Sequence, residues 1–171
     1  MKATATKFLL TILILTGSIS AFGQKGVDDG SKYGKGDDSI RCVRNLSLYV
    51  EYYRQKSYDD ALPYWRIIFA ECPTANFNMY IHGVNMYELL AEKADNEEQK
   101  FAYLDTMMLI YDQRTKYFKQ EGKVLGRKGI DWISMRKSNV EDIKVGYNYI
   151  KQSVDMQKNK TESRKALIFR D

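Results

Sequence analysis

The sequence predicts an all-α protein in which antiparallel helix hairpins stack into a short α-solenoid. Composition is the first indication: of 171 residues only two are proline, while 44% are hydrophobic and 13% aromatic, which favours packed helices. The second is a repeated spacing of three, four and three residues between apolar side chains. The spacing occurs in three places: Tyr58, Ala61, Trp65 and Ile68; Phe101, Leu104, Met108 and Tyr111; and Val140, Ile143, Tyr147 and Ile150. The third is that these copies start 43 and 39 residues apart, an interval typical of stacked helical repeats.

Residues 1–23 have the pattern of a secretory signal peptide. Lys2 and Lys7 precede an apolar run over residues 8–15, and small residues stand at Ala21 and Gly23. This pattern predicts cleavage after Gly23 and export through the inner membrane to the periplasm or cell surface. An uncleaved membrane anchor is the alternative, but the apolar run is short for a bilayer about 30 Å thick.

Charge argues against a nucleic-acid partner. The formal net charge of the chain is +5, but two basic residues and no acidic residue lie in the predicted signal peptide, which leaves +3 for the remainder. The basic residues are scattered among acids, whereas nucleic-acid binding needs a basic stripe.

A Gly- and Asp-rich segment over residues 24–38 is predicted to be a flexible linker. Gly30 and Gly34 do not have the spacing of a phosphate-binding loop, and the aspartates lack the order of a calcium loop. The helical domain is therefore expected over residues 39–171.

The first hairpin has recognisable start and stop signals. Ser39 is predicted as the N-cap of a helix that runs to about residue 56. Ser57 with Asp60 has the form of a capping box for the second helix, Pro63 falls early in that helix, and Pro73 ends it. In this hairpin Ala61 leaves space between Tyr58 and Trp65, which lets the facing helix approach.

These residues resemble the tetratricopeptide repeat. Leu48, Tyr52, Tyr58, Ala61, Trp65, Ile68 and Pro73 stand at positions of its signature. The resemblance places copies at about 42–75, 76–121 and 122–160, and the wider pattern resembles secreted repeat proteins of Gram-negative bacteria. Asn45 and Tyr49 depart from the signature where the family often has Trp and Gly, and Leu104 replaces the Ala in the second copy. A further partial helix is expected over residues 161–171, either as a cap or as part of a longer array.

The resemblance implies a concave surface lined by the first helix of each hairpin, where a protein partner would bind. The residues it places there are Val50, Tyr53, Arg54, Phe77, Tyr80, Tyr87, Glu88, Arg127 and Lys128. Tyr and Arg often contribute strongly to binding at protein surfaces. The expected function is therefore an exported, non-enzymatic interaction scaffold with an unidentified partner in the cell envelope. A carbohydrate-binding or envelope-structural module is the alternative.

The hairpin arrangement would bring Cys42 at the start of one helix near Cys72 at the end of the next. Export to an oxidising compartment favours a disulfide between them, and two buried free thiols are the alternative.

The sequence contains no catalytic motif that favours an enzyme, and we expect neither a cofactor nor a metal site. His82 is the only histidine, and it is predicted to pack within a hairpin instead of acting as a base. The methionines, which include Met79, Met86 and Met107, are expected to fill the core and not to bind a soft metal. Binding of a small molecule is not expected.

Overall fold

The computed structural model describes residues 31–168, with side chains described up to residue 160. This part of the chain forms six helices and no strand. The helices are α1 (Gly36–Arg54), α2 (Tyr58–Glu71), α3 (Asn78–Glu92), α4 (Glu97–Phe118), α5 (Glu121–Arg136) and α6 (Val140–Ile168). The all-α class predicted from the sequence is thus confirmed. The predicted signal peptide and the first residues of the predicted linker lie outside the described residues.

The first helix starts earlier than predicted. It begins at Gly36, and the N-cap is Lys35, which makes no side-chain capping bond. Ser39 is therefore not the N-cap; it lies in the first turn, where its Oγ donates to the carbonyl oxygen of Gly36 at 2.7 Å. Asp37 and Asp38 occupy the same turn, where carboxylates interact favourably with the helix dipole. These two acids explain why the helix extends into the segment predicted as linker.

Other helix starts follow sequence signals more closely. Ser57 is the N-cap of α2, as predicted, although its side chain makes no capping bond. Asn96 is the N-cap of α4, and its Oδ1 accepts from the backbone N–H of Gln99 at 2.9 Å. That bond satisfies one of the N–H groups that a helix start leaves without an intrahelical partner.

Helices that are neighbours in sequence make the most extensive contacts, in the pairs α1–α2, α3–α4 and α5–α6, with smaller contacts between α2 and α3 and between α4 and α5. The pairs are antiparallel: Arg41 at the start of α1 forms an ion pair with Glu71 at the end of α2, at 2.7 Å. Beside it, Cys42 and Cys72 form the predicted disulfide, which links the same two ends. Both cysteines are buried.

Trp65 lies at the centre of the hydrophobic core. It is 1% exposed, its Nε1 donates to the carbonyl oxygen of Met79 at 2.7 Å, and its ring stacks on Phe69 with centroids 4.8 Å apart. A Cβ placed on Gly83 would lie 2.2 Å from Cζ2 of Trp65, so α3 approaches α2 this closely only because residue 83 is glycine. The core also contains Ala61, Ile68, Met79, Met86, Leu104, Met107, Met108 and Tyr111.

The first two copies of the predicted apolar stripe are thus largely buried, but the third is not. Val140, Ile143 and Tyr147 are 66%, 39% and 61% exposed. The expectation that this face packs inside the chain is wrong, because α6 contacts α5 through a different side.

Small residues form the contact between α5 and α6. A Cβ on Gly129 would lie 2.6 Å from the carbonyl oxygen of Gly146, and one on Gly126 would lie 2.8 Å from Oγ of Ser153. The same Oγ donates to the carbonyl oxygen of Gly122. The two backbones therefore lie close together along the side of α6 that contains Gly146 and Ser153. Of the predicted stripe, Ile150 lies against Gly129, whereas Val140, Ile143 and Tyr147 are left exposed.

Helix α6 is continuous to Ile168. Thr161 lies inside it, so a separate helix starting there is not present. No glycine or proline follows Gly146 in this helix, which removes the usual reasons for a break. In the part of the chain that the structure describes, no helix is long and apolar enough to cross a bilayer.

Candidate functional site

A cleft of about 500 Å³ opens beside α1 and the start of α3 and is the candidate functional site. We call it the α1–α3 cleft. Its lining residues come from the second half of α1, the following turn and the N-terminal part of α3 with the residues before it: Tyr49, Val50, Tyr53, Arg54, Lys56, Tyr58, Asn76, Asn78 and His82. Tyrosine rings, amide groups and cations thus meet in one depression.

The two helices run in the same direction beside the cleft. Oη of Tyr49 lies 3.0 Å from Nδ1 of His82, and one turn further on Nδ2 of Asn85 donates to Oη of Tyr53 at 3.1 Å. These two bonds join successive turns of α1 to successive turns of α3 and fix the register between the helices.

The ring of His82 is held on both its edge and its face. Its plane lies 8° from that of Tyr53, with ring centroids 3.7 Å apart. Tyr58 also packs on Tyr53, in a tilted arrangement with its ring centroid 5.2 Å away. Stacked and tilted rings of this kind fix the positions of three side chains that belong to different elements.

Burial determines the protonation of the Tyr49–His82 pair. Desolvation raises the pKa of Tyr49, with a further contribution from Tyr53, so its hydroxyl keeps its proton. Desolvation also lowers the pKa of His82 below 6.5, so the imidazole is neutral at pH 7. The hydroxyl of Tyr49 and Nδ1 of His82 therefore share a hydrogen bond between two neutral groups, and the tautomer of the imidazole decides which of them donates.

The cleft is cationic. Arg54 and Lys56 lie on its rim and both are exposed, and none of the nine lining residues is an acid. Lys56 has a φ of 61°, in the left-handed region that a chain adopts when it turns sharply. This turn places a second positive charge beside Arg54.

Three of the nine residues predicted for the partner surface meet in the α1–α3 cleft: Val50, Tyr53 and Arg54. Two tyrosines that were predicted for the partner surface, Tyr80 and Tyr87, instead belong to the core. Tyr80 is fully buried, and its hydroxyl donates to the carbonyl oxygen of Pro73 at 2.7 Å. Tyr87 is 6% exposed and packs against Trp65.

The other predicted residues lie elsewhere. Phe77 is half-buried between Phe118 and the guanidinium of Arg114, which lies 4.5 Å from the centroid of its ring. Arg127 is exposed on α5. Lys128 is 7% exposed, and its Nζ forms an ion pair with Asp112 of α4.

Glu88 belongs to an acidic cluster with Asp131. Burial raises the pKa of Glu88, and the nearby carboxylates of Asp131 and Glu92 raise it further. Burial also raises the pKa of Asp131, although its hydrogen bond from Tyr111 and the charge of Arg127 act in the opposite direction. The cluster links α3, α4 and α5 outside the α1–α3 cleft.

Sequence reasoning placed Tyr80, Tyr87 and Glu88 of α3 on the partner surface but missed Asn78 and His82, the α3 residues that line the cleft. Asn78, His82 and Asn85 recur at helical spacing of four and three residues, and this polar stripe was the available signal. His82 is indeed packed between neighbouring side chains, but it also lines the cleft. In the described part of the chain, no group of three or more His, Cys, Asp or Glu side chains is placed to hold a metal ion.

Comparison with known proteins identifies no relative: no family model matches the chain, and no curated protein or solved structure is significantly similar to it.

Proposed function

We propose that the protein is an exported, non-enzymatic interaction scaffold built from hairpins like those of tetratricopeptide repeats. Three antiparallel helix pairs in sequence order support this assignment, as does the parallel course of α1 and α3 beside the cleft. In repeat proteins of this kind the first helices of successive hairpins lie side by side and form the binding surface.

The observation that carries the proposal is the composition of the α1–α3 cleft. Its rings are fixed before any partner arrives, since Tyr53, Tyr58 and His82 are already packed on one another. Preorganised aromatic side chains bind with little loss of conformational entropy. Arg54 and Lys56 add positive charge, so the cleft favours a segment of a protein partner that carries acidic side chains.

Export is supported by the disulfide between Cys42 and Cys72, because such bonds persist mainly in oxidising compartments. The signal-peptide pattern of residues 1–23 supports it independently. A partner in the cell envelope is consistent with both.

Binding without catalysis is supported by the state of His82. Its Nδ1 is occupied by the hydroxyl of Tyr49, and one face of its ring is covered by Tyr53. The residues that line the cleft offer neither a carboxylate nor a thiol for it to activate, and general acid–base or nucleophilic chemistry uses such pairs.

The experiment is affinity capture from a cell-envelope extract with the mature chain as bait. The double charge reversal Arg54→Glu with Lys56→Glu is expected to lose the captured protein, because both cations of the cleft are inverted. Arg44→Glu is the matched control: Arg44 is also exposed on α1 but lines a different groove. Equal capture by both variants would refute the assignment of the cleft.

Carbohydrate binding is the second candidate function, and the stacked pair of Tyr53 and His82 favours it. Sugar rings stack on aromatic faces, and the amides of Asn76 and Asn78 beside these rings match sugar hydroxyls. A glycan array probed with the mature chain and with His82→Ala distinguishes the two functions. Glycan binding that the variant abolishes would support this candidate over the scaffold.

A further inference from the structure

Helix α6 presents an apolar stripe to solvent. Val140, Ile143, Tyr147 and Val154 are between 39% and 66% exposed, and Ile150 continues the row in a half-buried position. The spacing along the helix is three, four, three and four residues, which is the spacing of a coiled-coil seam. The stripe spans about 21 Å at 1.5 Å per residue. We call these five residues the α6 stripe.

The order of residues in the α6 stripe is the same in both directions: Val, Ile, Tyr, Ile, Val. Two such helices placed antiparallel about an axis at Tyr147 match like with like. Val140 of one copy lies opposite Val154 of the other, Ile143 lies opposite Ile150, and Tyr147 meets its own counterpart. A two-fold interface requires a surface that is complementary to itself, and this order provides it.

The charges beside the α6 stripe also balance in that arrangement. Glu141 and Lys144 form an ion pair at 2.7 Å on the side of the stripe that faces away from α5, which we call the outer flank. Lys151 and Asp155 are exposed further along the same helix. Antiparallel pairing places Glu141 and Lys144 of one copy beside Lys151 and Asp155 of the other. Each end of the interface then has two acids and two bases along the outer flanks. These four residues carry no net positive charge to attract an anionic lipid surface, so the charge pattern favours a second copy over a membrane.

The other side of the stripe, its inner flank, is already covered by α5. Gly146 and Ser153 on that side contact Gly129 and Gly122 of α5, so a second α6 approaches from the outer side only. The exposed area of the four most accessible stripe residues is roughly 400 Å², about half of the roughly 800 Å² per partner in a standard-size interface. The aliphatic stems of Lys144 and Lys151 extend the patch.

We propose that the α6 stripe is a homodimer interface in which two copies of the chain pair through antiparallel α6 helices. This proposal is independent of the α1–α3 cleft, which is formed by other helices.

Sedimentation equilibrium of the mature chain tests it. At concentrations of about 10–100 μM the weight-average mass is expected to approach that of two chains. Tyr147→Glu places two carboxylates at the symmetry axis and should raise the dissociation constant at least about 100-fold, which corresponds to about 2.7 kcal/mol. Leu109→Glu is the matched control, because Leu109 of α4 is 62% exposed against 61% for Tyr147. A monomeric wild type, or equal weakening by both substitutions, would overturn the proposal.

Cysteine cross-linking tests the antiparallel register and does not depend on the stability of the charged variant. Tyr147→Cys should form a disulfide-linked dimer under mild oxidation, because residue 147 faces its own counterpart. Val140→Cys alone should not cross-link, since its counterpart lies at the other end of the interface. Cross-linking by Val140→Cys and not by Tyr147→Cys would overturn antiparallel pairing. A monomer that cosediments with anionic phosphatidylserine vesicles would show that a lipid surface covers the stripe instead.

Discussion

Replacement of Gly83 by alanine tests the contact between α2 and α3 that the core depends on. The added Cβ would lie 2.2 Å from Cζ2 and 2.7 Å from Cε2 of Trp65, well inside normal van der Waals separation. The indole cannot move away freely, because its Nε1 is bonded to the carbonyl oxygen of Met79 and its face is stacked on Phe69. The clash must therefore be relieved by movement of α3 away from α2.

The magnitude follows from two opposing contributions. Overpacking of a core costs about 1–3 kcal/mol, and sometimes more. Alanine gains about 1 kcal/mol over glycine in a helix interior. Because the ring is restrained on two sides, we expect the upper part of the overpacking range to apply, with a net loss of about 1–2 kcal/mol or more.

Urea denaturation followed by circular dichroism at 222 nm measures this loss. Gly122→Ala is the control, because its Cβ would come no closer than 3.3 Å to a neighbouring atom, Cγ of Gln157 or Cβ of Met156, so its cost should be clearly smaller than that of Gly83→Ala. In a double-mutant cycle, Trp65→Phe should remove most of the cost of Gly83→Ala, since the smaller ring vacates the space. A Gly83→Ala variant at least as stable as the wild type would refute the reasoning.

Three further predictions concern the disulfide and two titrating groups. Replacing both Cys42 and Cys72 by serine should lower the free energy of unfolding by about 3–4 kcal/mol, because the bond closes a loop with a sequence separation of 30 residues; an unchanged urea midpoint would contradict this. Burial raises the pKa of Asp131 above 3.8, so the folded chain retains this proton to higher pH than the unfolded chain. The free energy of unfolding should therefore increase as pH falls from the pKa of Asp131 in the folded chain towards 3.8. Asp131→Asn should flatten that part of the pH profile, measured by urea unfolding between pH 4 and about 7; an unchanged slope would exclude Asp131 as its source. The pKa of the single histidine, His82, should lie below 6.5 when it is measured by NMR on the folded chain. The free energy of unfolding should fall as pH drops below 6.5, because the unfolded chain binds the proton first. A titration midpoint of His82 above 6.5 would contradict the burial of its ring.

The first hairpin could be predicted from the sequence because its signals are local. Ala61, Trp65 and Ile68 lie one turn apart on one helix, and the spacing alone identifies their shared face. Pro73 and Ser57 mark its ends within a residue or two. The disulfide follows from the same hairpin, since the ends of paired helices must meet.

The orientation of α6 could not be predicted in the same way. Apolar periodicity shows that Val140, Ile143 and Tyr147 share a face, but it does not say what covers that face. The contact with α5 is decided instead by the close approach of Gly129 and Gly146, and small residues contribute little to an apolar pattern. A glycine row at helical spacing was therefore the better guide to this helix pair.

Only part of the candidate site could be predicted, because sequence spacing groups side chains on one helix but does not show which side chains of two helices meet. Val50, Tyr53 and Arg54 are close in sequence and face the same side of α1. The α3 side of the cleft comes from residues about 25 positions further along the chain, and only the three-dimensional register brings His82 onto Tyr53. Tyr80 and Tyr87 lie on the same helix but are directed into the core, where Trp65 and Phe118 contact them.

Site-specific photocrosslinking from the α1–α3 cleft tests the binding role most directly. A benzophenone amino acid replaces Arg54 in one variant and Arg44 in another, and each is irradiated in a cell-envelope extract. The account predicts a discrete protein adduct from position 54 that is absent from position 44, and competition by unlabelled mature chain should remove it. Identical adducts from both positions, or an adduct from position 44 alone, would contradict the account.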